Sequence, residues 1–519
     1  MKRKFSIHGP GRNLDWALVS LAALAFAART LPGLRTIDDA YITFRYARNL
    51  VNGLGFVYNP GQHVQGTTTP LYTLLMASLS LVLPGDYPIL ALVINALADA
   101  CSVIVLGKLG ERLTGNRAIG LTVGLLWMVA PMSVTFAIGG METSLYVLLI
   151  LLTFYSYALG HPAWSAFTCA LALLTRPDAL LVALPLFAHL LWVRRRVPWR
   201  EGAILLLTLA PWVIFATLYF GSPLANSVVA KTYAYRLGPY TAFIRLLHHY
   251  ATPFLGQESL GGRWPMIGLF LYPTLYLIGA LVLVRRDGGA VPLVVFPGLY
   301  FVAFSLPNPL IFRWYLAPPL PAYFLCIVTG GWAVVRDLAA AVVHRQARWV
   351  SRSVVLVLLC AILFLELNAW TLRPDHGPQR PAPEMAWFKL EDLYRQATED
   401  LMRANDISPD TLIAAGDIGV IGYISNARIL DTVGLISPES IPYYPLDPSA
   451  YVINYAIPTQ LILDQQPDYV IVLEVYVRRT LLESPEFREQ YQLLRQWDTD
   501  IYGSRALLVF RRADTASQP

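Results

Sequence analysis

The feature that most constrains this chain is a succession of apolar runs close to 20 residues long, separated by short clusters of arginine and lysine. A helix needs about 20 apolar residues to cross the hydrocarbon core of a bilayer. Runs near 14–31, 88–108, 118–138, 142–160, 163–175, 179–193, 202–220, 266–284, 290–306, 317–335 and 353–370 meet or approach that length. The stretch 70–83, "PLYTLLMASLSLVL", is short for a span and is expected to lie in or dip into the interface. Segment 163–193 is split at "TRPDA", where a proline flanked by charges marks a turn.

Charge tests this count. With residues 1–13 inside, the clusters at 109–117, 194–201 ("RRRVPWRE"), 285–289 and 336–352 also fall inside, as the positive-inside rule requires. Counting 70–83 as a full span would place the later clusters outside. The pattern therefore predicts about eleven spans, with the N-terminus cytoplasmic and the C-terminus outside. Only 14% of the 519 residues are charged and the mean hydropathy is +0.49, against about 25% charged in soluble domains. The class is a polytopic α-helical membrane protein whose partner is the lipid bilayer. The net charge of +6 sits in loop clusters and points to no nucleic acid. An uncleaved first span is preferred to a signal peptide ending at "AFAA". The four cysteines lie inside apolar runs without ligand spacing, so no structural disulfide is expected.

From about residue 371 the character changes. Residues 1–370 form the membrane domain, with a first outer loop at 32–87; residues 371–383 are a Pro-rich linker; residues 384–519 read as an extracytoplasmic α/β domain. In that domain a helical pattern covers 384–405 and another lies near 451–465. Short β-branched runs lie in "TLIAAGDIGVIGYIS", "ARILDTVGL", "DYVIVLEVYV" and "SRALLVFRR". "GDIGVIGYIS" lacks the GxGxxG spacing of a phosphate loop and is read as strand and turn.

This topology gathers unusual residues on the outer side. Asp38 and Asp39 adjoin at the start of an amphipathic segment. Aspartate is a favoured helix cap, and two neighbouring carboxylates also suit a general base, because each raises the other's pKa. Both readings stay open. Lys231, the sole lysine between Lys108 and Lys389, together with Arg176 and Arg313, would form a cradle for a lipid phosphate near the outer leaflet. Each alone is equally a solvated or snorkelling side chain. Glu142 either caps a span or adds a second carboxylate for a metal or a sugar hydroxyl. The His248–His249 pair is expected to be solvated in a loop. Asn95 and Asp99, four apart within a span, are read as helix-packing hydrogen bonds.

The stretch "DDAYITFRYARNLVNGLGFVYNPGQHVQGTTTPLYTLL" resembles the first outer loop of GT-C superfamily membrane glycosyltransferases, closest to the AftB-like arabinofuranosyltransferase group. "GSPLANSVVAK" and "GDIGVIGYISNARILDTVGLISPE" are similar to later landmarks of that group. The resemblance implies an enzyme that takes a pentose or hexose from a polyprenyl phosphate and passes it to a glycan, lipid or protein outside the membrane. It implies a catalytic acid at Asp38 with Asp39 beside it, and phosphate contacts at Lys231, Arg176 and Arg313. A divalent metal is left open. The rival class is a lipid-linked-sugar transporter or flippase, which would show repeat symmetry and polar groups at the midplane. A membrane-anchored binding protein is disfavoured by the dense polar residues of the membrane loops.

Overall fold

The computed structural model describes residues 15–83, 85–254, 256, 260–306, 312–343, 347–371, 382–383, 386–404 and 406–513. The basic N-terminal cluster, Glu258 and most of the linker lie outside these residues. The membrane part contains α1 (Trp16–Thr30), α2 (Asp38–Val51), α3 (Pro70–Ser80), α4 (Tyr87–Thr114), α5 (Arg117–Val129), α6 (Pro131–Ile138), α7 (Thr143–Ala158), α8 (Pro162–Thr175), α9 (Leu180–Arg194), α10 (Trp199–Phe220), α11 (Asn226–Ala234), α12 (Thr241–Ala251), α13 (Trp264–Arg286), α14 (Val291–Ser305), α15 (Leu320–Val343) and α16 (Ala347–Asn368).

Every apolar run expected to span is helical, but the count of eleven is not established. Among the described residues, seven helices are long and apolar enough to cross a membrane, or eight if α5 and α6 form one bent span. The run 118–138 breaks by 49° where Pro131, lacking an N–H, starts a new helix. α1, α7 and α8 have 15, 16 and 14 residues, below the usual length of a lone crossing. The "TRPDA" break is present: Arg176 is extended between α8 and a 3-10 turn at Pro177–Ala179. Residues 70–80 are helical, as expected for the short segment. His248 and His249 belong to α12 rather than a loop, and His249 is buried with Nε2 2.9 Å from the Leu316 carbonyl.

The bundle contains a closed ion pair. Arg29 Nε lies 3.0 Å from Asp99 Oδ2, and neither side chain is exposed. The remaining guanidinium nitrogens reach Ser133 Oγ and the carbonyls of Ala25, Trp127 and Met128. Asn95 donates to the Met141 carbonyl at 2.8 Å. Both residues serve helix packing.

The short strands β1 (Trp370–Thr371) and β2 (Ala382–Pro383) pair antiparallel where the chain leaves α16. The C-terminal domain then runs α17 (Ala386–Arg403), β3 (Leu412–Ala415), α18 (Gly419–Ser425), β4 (Arg428–Asp431), α19 (Thr459–Gln465), β5 (Tyr469–Leu473), α20 (Pro485–Gln490), β6 (Tyr491–Asp498) and β7 (Ala506–Arg512). Its sheet has the order β4-β3-β5-β7-β6, parallel across the first three strands and antiparallel beyond. The expected helix near 451–465 occupies only 459–465. β6, whose residues are mostly exposed, offers no apolar alternation and was not foreseen. "GDIGVIGYIS" is not strand and turn: it enters α18 at Gly419. The cause is its packing against α2, described next.

Candidate active site

α2 is held at its start from two sides. On the bundle side, the backbone amides of Arg35 and Ile37 donate to the carbonyls of Ile138 and Gly139 at 3.1 and 3.0 Å. On the other side, the Asp38 carboxylate accepts from Gly419 N and Val420 N, each at 2.8 Å. The reading of Asp38 as a cap of its own helix does not hold: it makes no cap bond within α2 and instead satisfies the first amides of α18. Further along, Arg45 donates to the Ala427 carbonyl at 2.7 Å, and Arg48 to the Tyr423 carbonyl at 2.8 Å and to Asn426 Oδ1 at 2.6 Å. Asp38, Arg45 and Arg48 stand at i, i+7 and i+10, one face of a 3.6-residue helix. The glycines of α18 make the approach feasible. A Cβ on Gly419 would overlap the Asp38 carbonyl, and one on Gly422 the Tyr58 hydroxyl and Arg45.

Asp39 turns the other way. With Ile42 and Thr43, at i+3 and i+4, it lines a cavity of about 260 Å³. Gly66 and Thr67–Thr69 form one wall, Ser227 and Lys231 another, and Met141, Glu142, Arg176 and Asp178 the base. Phe304, Trp314 and Tyr315 supply aromatic surface, and Leu435 of the C-terminal domain closes one side. A hydroxyl chain runs along the threonine wall: Thr43 to Thr69 at 3.3 Å and Thr69 to Thr67 at 3.0 Å.

The cations differ in their partners. Arg176 is buried. Its Nη1 meets Glu142 Oε1 at 3.1 Å, its Nε meets Asp178 Oδ1 at 2.9 Å, and its guanidinium lies 4.3 Å from the Tyr315 ring centre. Tyr300 also donates to Asp178 at 3.1 Å. Glu142 therefore orients an arginine; it caps α7 through no side-chain bond. Lys231 Nζ sits 4.8 Å from the Phe312 ring centre, and among the described residues no carboxylate pairs with it. The sequence expectation brought Asp39, Glu142, Arg176 and Lys231 to one place. Arg313 is not among the lining residues and is exposed.

Burial holds the Asp38 carboxyl well above the usual carboxylate range, with the Asp417 charge adding to it. Asp417, which accepts from the Tyr394 hydroxyl at 2.9 Å, is pushed up to about 6 by burial, with Asp39 contributing. Among the described residues there is no group of three or more His, Cys, Asp or Glu side chains that could hold a metal ion. Two of the cavity's three carboxylates are already committed to Arg176, so these residues form no ready ligand set for a divalent cation.

Sequence reasoning missed the threonine wall, Ser227, the aromatic side and Leu435. The signal available for the first was "TTT" immediately before an apolar helix. Asn226 links the wall to the C-terminal domain: its amide side chain donates to the carbonyls of Gly434 and Leu435 at 2.6 and 3.1 Å, and its backbone N to Gln65 O at 2.8 Å. The three sequence landmarks thus converge on one cavity.

The chain is similar to known proteins in sequence and in fold. A model described as a domain of unknown function (DUF8728) matches residues 387–516. The terminal β-(1→2)-arabinofuranosyltransferase of Mycobacterium tuberculosis is 28% identical over 240 residues, which span 42% of this chain and 38% of that protein. Among solved structures, ArnT from Cupriavidus metallidurans bound to undecaprenyl phosphate superposes with a TM-score of 0.55 at 14% identity, over 97% of this chain and 98% of that one. An Archaeoglobus fulgidus oligosaccharyltransferase, in complex with zinc and sulfate, gives 0.54 at 13% identity over 95% and 72%. Along nearly its whole length, then, this chain shares the fold of ArnT and of the oligosaccharyltransferase.

Proposed function

We propose that this chain is a membrane glycosyltransferase that moves a sugar from a polyprenyl phosphate to an acceptor hydroxyl on the extracytoplasmic side. The single observation that carries this reading is the cavity whose lining includes Asp39, Lys231 and Arg176, with Leu435 of the C-terminal domain among its walls. Its ingredients suit the chemistry. Cations receive a phosphate, hydroxyl-bearing and aromatic side chains receive a sugar, and a carboxylate with no ion-pair partner among the described residues receives a proton.

In this mechanism Asp39 lies within hydrogen-bond reach, about 3 Å, of the acceptor hydroxyl. It takes the proton as the acceptor oxygen bonds to the anomeric carbon. The bond between that carbon and the polyprenyl-phosphate oxygen breaks, and the phosphate leaves with the electron pair. Lys231 and the Arg176 fork hold the charge that develops there. Glu142 and Asp178 fix the fork, so little reorganisation is needed at the moment of reaction. The base is Asp39 rather than Asp38, because both Asp38 oxygens are held by backbone amides and Asp38 does not line the cavity. Placing the cavity outside rests on the distribution of arginine and lysine between the spans. The arabinofuranosyltransferase relative makes a polyprenyl-phosphate arabinofuranose the first donor to try.

The test is transfer by purified protein in membranes supplied with radiolabelled polyprenyl-phosphate pentoses and hexoses. At least one donor is expected to support transfer, and Asp39→Asn to abolish it while leaving the protein folded. Full turnover by Asp39→Asn removes the base assignment. Movement of intact lipid-linked sugar between leaflets without transfer would establish the flippase reading instead.

A further inference from the structure

The two adjacent carboxylates have different surroundings, Asp38 on the amides of α18 and Asp39 on the cavity, and this divides their labour. We propose that Asp38 is a positioning residue: it latches the C-terminal domain onto the first turn of α2 and so fixes the angle at which Asp39 enters the cavity. This rests on the reading of Asp39 as base, and it makes the C-terminal domain part of the transfer site rather than a separable module.

The latch is built from both partners. Asp38 is 5% exposed and gives one oxygen to each of two consecutive amides of α18. Three further contacts hold the same surfaces together. Tyr58 donates to the Ile418 carbonyl at 2.5 Å, just before the amides that Asp38 holds. Asn59 exchanges two hydrogen bonds with Ile429, at 2.8 and 3.0 Å. Arg48 grips the far end of α18. Asp38, Arg45 and Arg48, on one face of α2, set its rotation about its own axis, while Tyr58 and Asn59 hold the segment that follows it. Neighbouring residues on a helix point about 100° apart, so the rotation that seats Asp38 on α18 also seats Asp39 in the cavity. A misplacement of about 1 Å at a reacting group costs on the order of 100-fold in rate. The cavity wall has the same dependence, because Leu435 reaches it from the domain and Asn226 is tied to Gly434 and Leu435.

The experiment uses full-length protein in nanodiscs, with turnover, its pH profile and amide exchange of the 416–425 segment as readouts. Asp38→Asn keeps the shape but presents an amide nitrogen to one of the two backbone N–H groups. It should speed exchange in 416–425 and lower kcat roughly tenfold to 100-fold, with donor KM within about twofold and the pH profile retaining its shape. Gly419→Ala removes no carboxylate, yet its Cβ would strike the Asp38 carbonyl and crowd Asp38 Oδ2; it should reproduce that phenotype. Asp39→Asn should lose turnover with exchange unchanged. The proposal is overturned if Asp38→Asn abolishes turnover with 416–425 exchange unaltered, since Asp38 would then act chemically. It is equally overturned if exchange speeds while turnover stays at the wild-type level. Should Asp38→Asn fail to fold, Arg48→Gln opens the other end of the latch. Faster exchange with a smaller kcat loss supports the proposal, and no change in either sinks it. Full turnover by Asp39→Asn would strike only the base assignment, because the latch is decided by the Asp38 and Gly419 variants.

Discussion

Two buried arginines in the membrane part have nearly the same chemistry and different surroundings. Arg29 meets Asp99 and Ser133 inside the bundle, with all three guanidinium nitrogens engaged and no exposure on either side of the ion pair. Arg176 meets Glu142 and Asp178 and borders a cavity. An arginine ion pair in a membrane protein is therefore not informative in itself. What distinguishes the second is the space in front of it and the nearby lysine without a carboxylate partner among the described residues. The first pair holds α1, α4 and the α5–α6 bend together; the second presents a charge.

The widest separation between them should appear in stability. Asp99→Ala strands a buried guanidinium, and breaking such a pair costs roughly 3–5 kcal/mol. Thermal unfolding in detergent should fall sharply, while donor KM of the surviving folded protein stays at the wild-type value. Arg176→Lys keeps the charge and discards the fork. Losing a hydrogen bond to a charged group costs about 1.5–3 kcal/mol, so kcat/KM should drop roughly tenfold to 100-fold, with unfolding little changed. A large fall in unfolding temperature for Arg176→Lys, without a rate effect, would erase the distinction between the two sites. Lys231→Ala should raise donor KM by about tenfold, or 1.4 kcal/mol, and an unchanged KM would remove its phosphate role. The smallest effect belongs to acids at the domain contact. Asp417 has its pKa raised in the folded chain to about 6 from 3.8. Its contribution to stability is full below the unfolded value and is lost as pH rises through about 6. The C-terminal domain should resist denaturant better at pH 4 than at pH 7 through this group, and Asp417→Asn should flatten that part of the pH slope.

The sequence already carried the helices, because apolar length and flanking charge respond to the bilayer alone. It carried the acid pair and Lys231 for a similar reason: an unusual charge beside oil is conspicuous without knowledge of its partner. Which aspartate faces the cavity was not legible. Periodicity puts Asp38 with Arg45 and Arg48, and Asp39 with Ile42 and Thr43, but deciding which face meets which domain needs α18, 381 positions away. The same distance hid the helix at "GVIGYIS": the segment reads as strand and turn, whereas its glycines admit α2. Arg313 was drawn in by its aromatic neighbours, yet Trp314 and Tyr315 reach the cavity while Arg313 does not. In a 3-10 turn successive side chains diverge, and a linear string cannot say which one turns inward.

The pair of hydrogen bonds between Asn59 and Ile429 spans 370 positions and closes the free edge of β4, the outermost strand of its sheet. At roughly 5–20 residues per second of synthesis, Asn59 waits on the order of 20–70 s for its mate. The strand itself never waits, because its cover has already been made. Birth order thus puts a cover in place before the strand that needs it, and an edge covered in this way is closed to pairing with strangers, the hazard of any open edge.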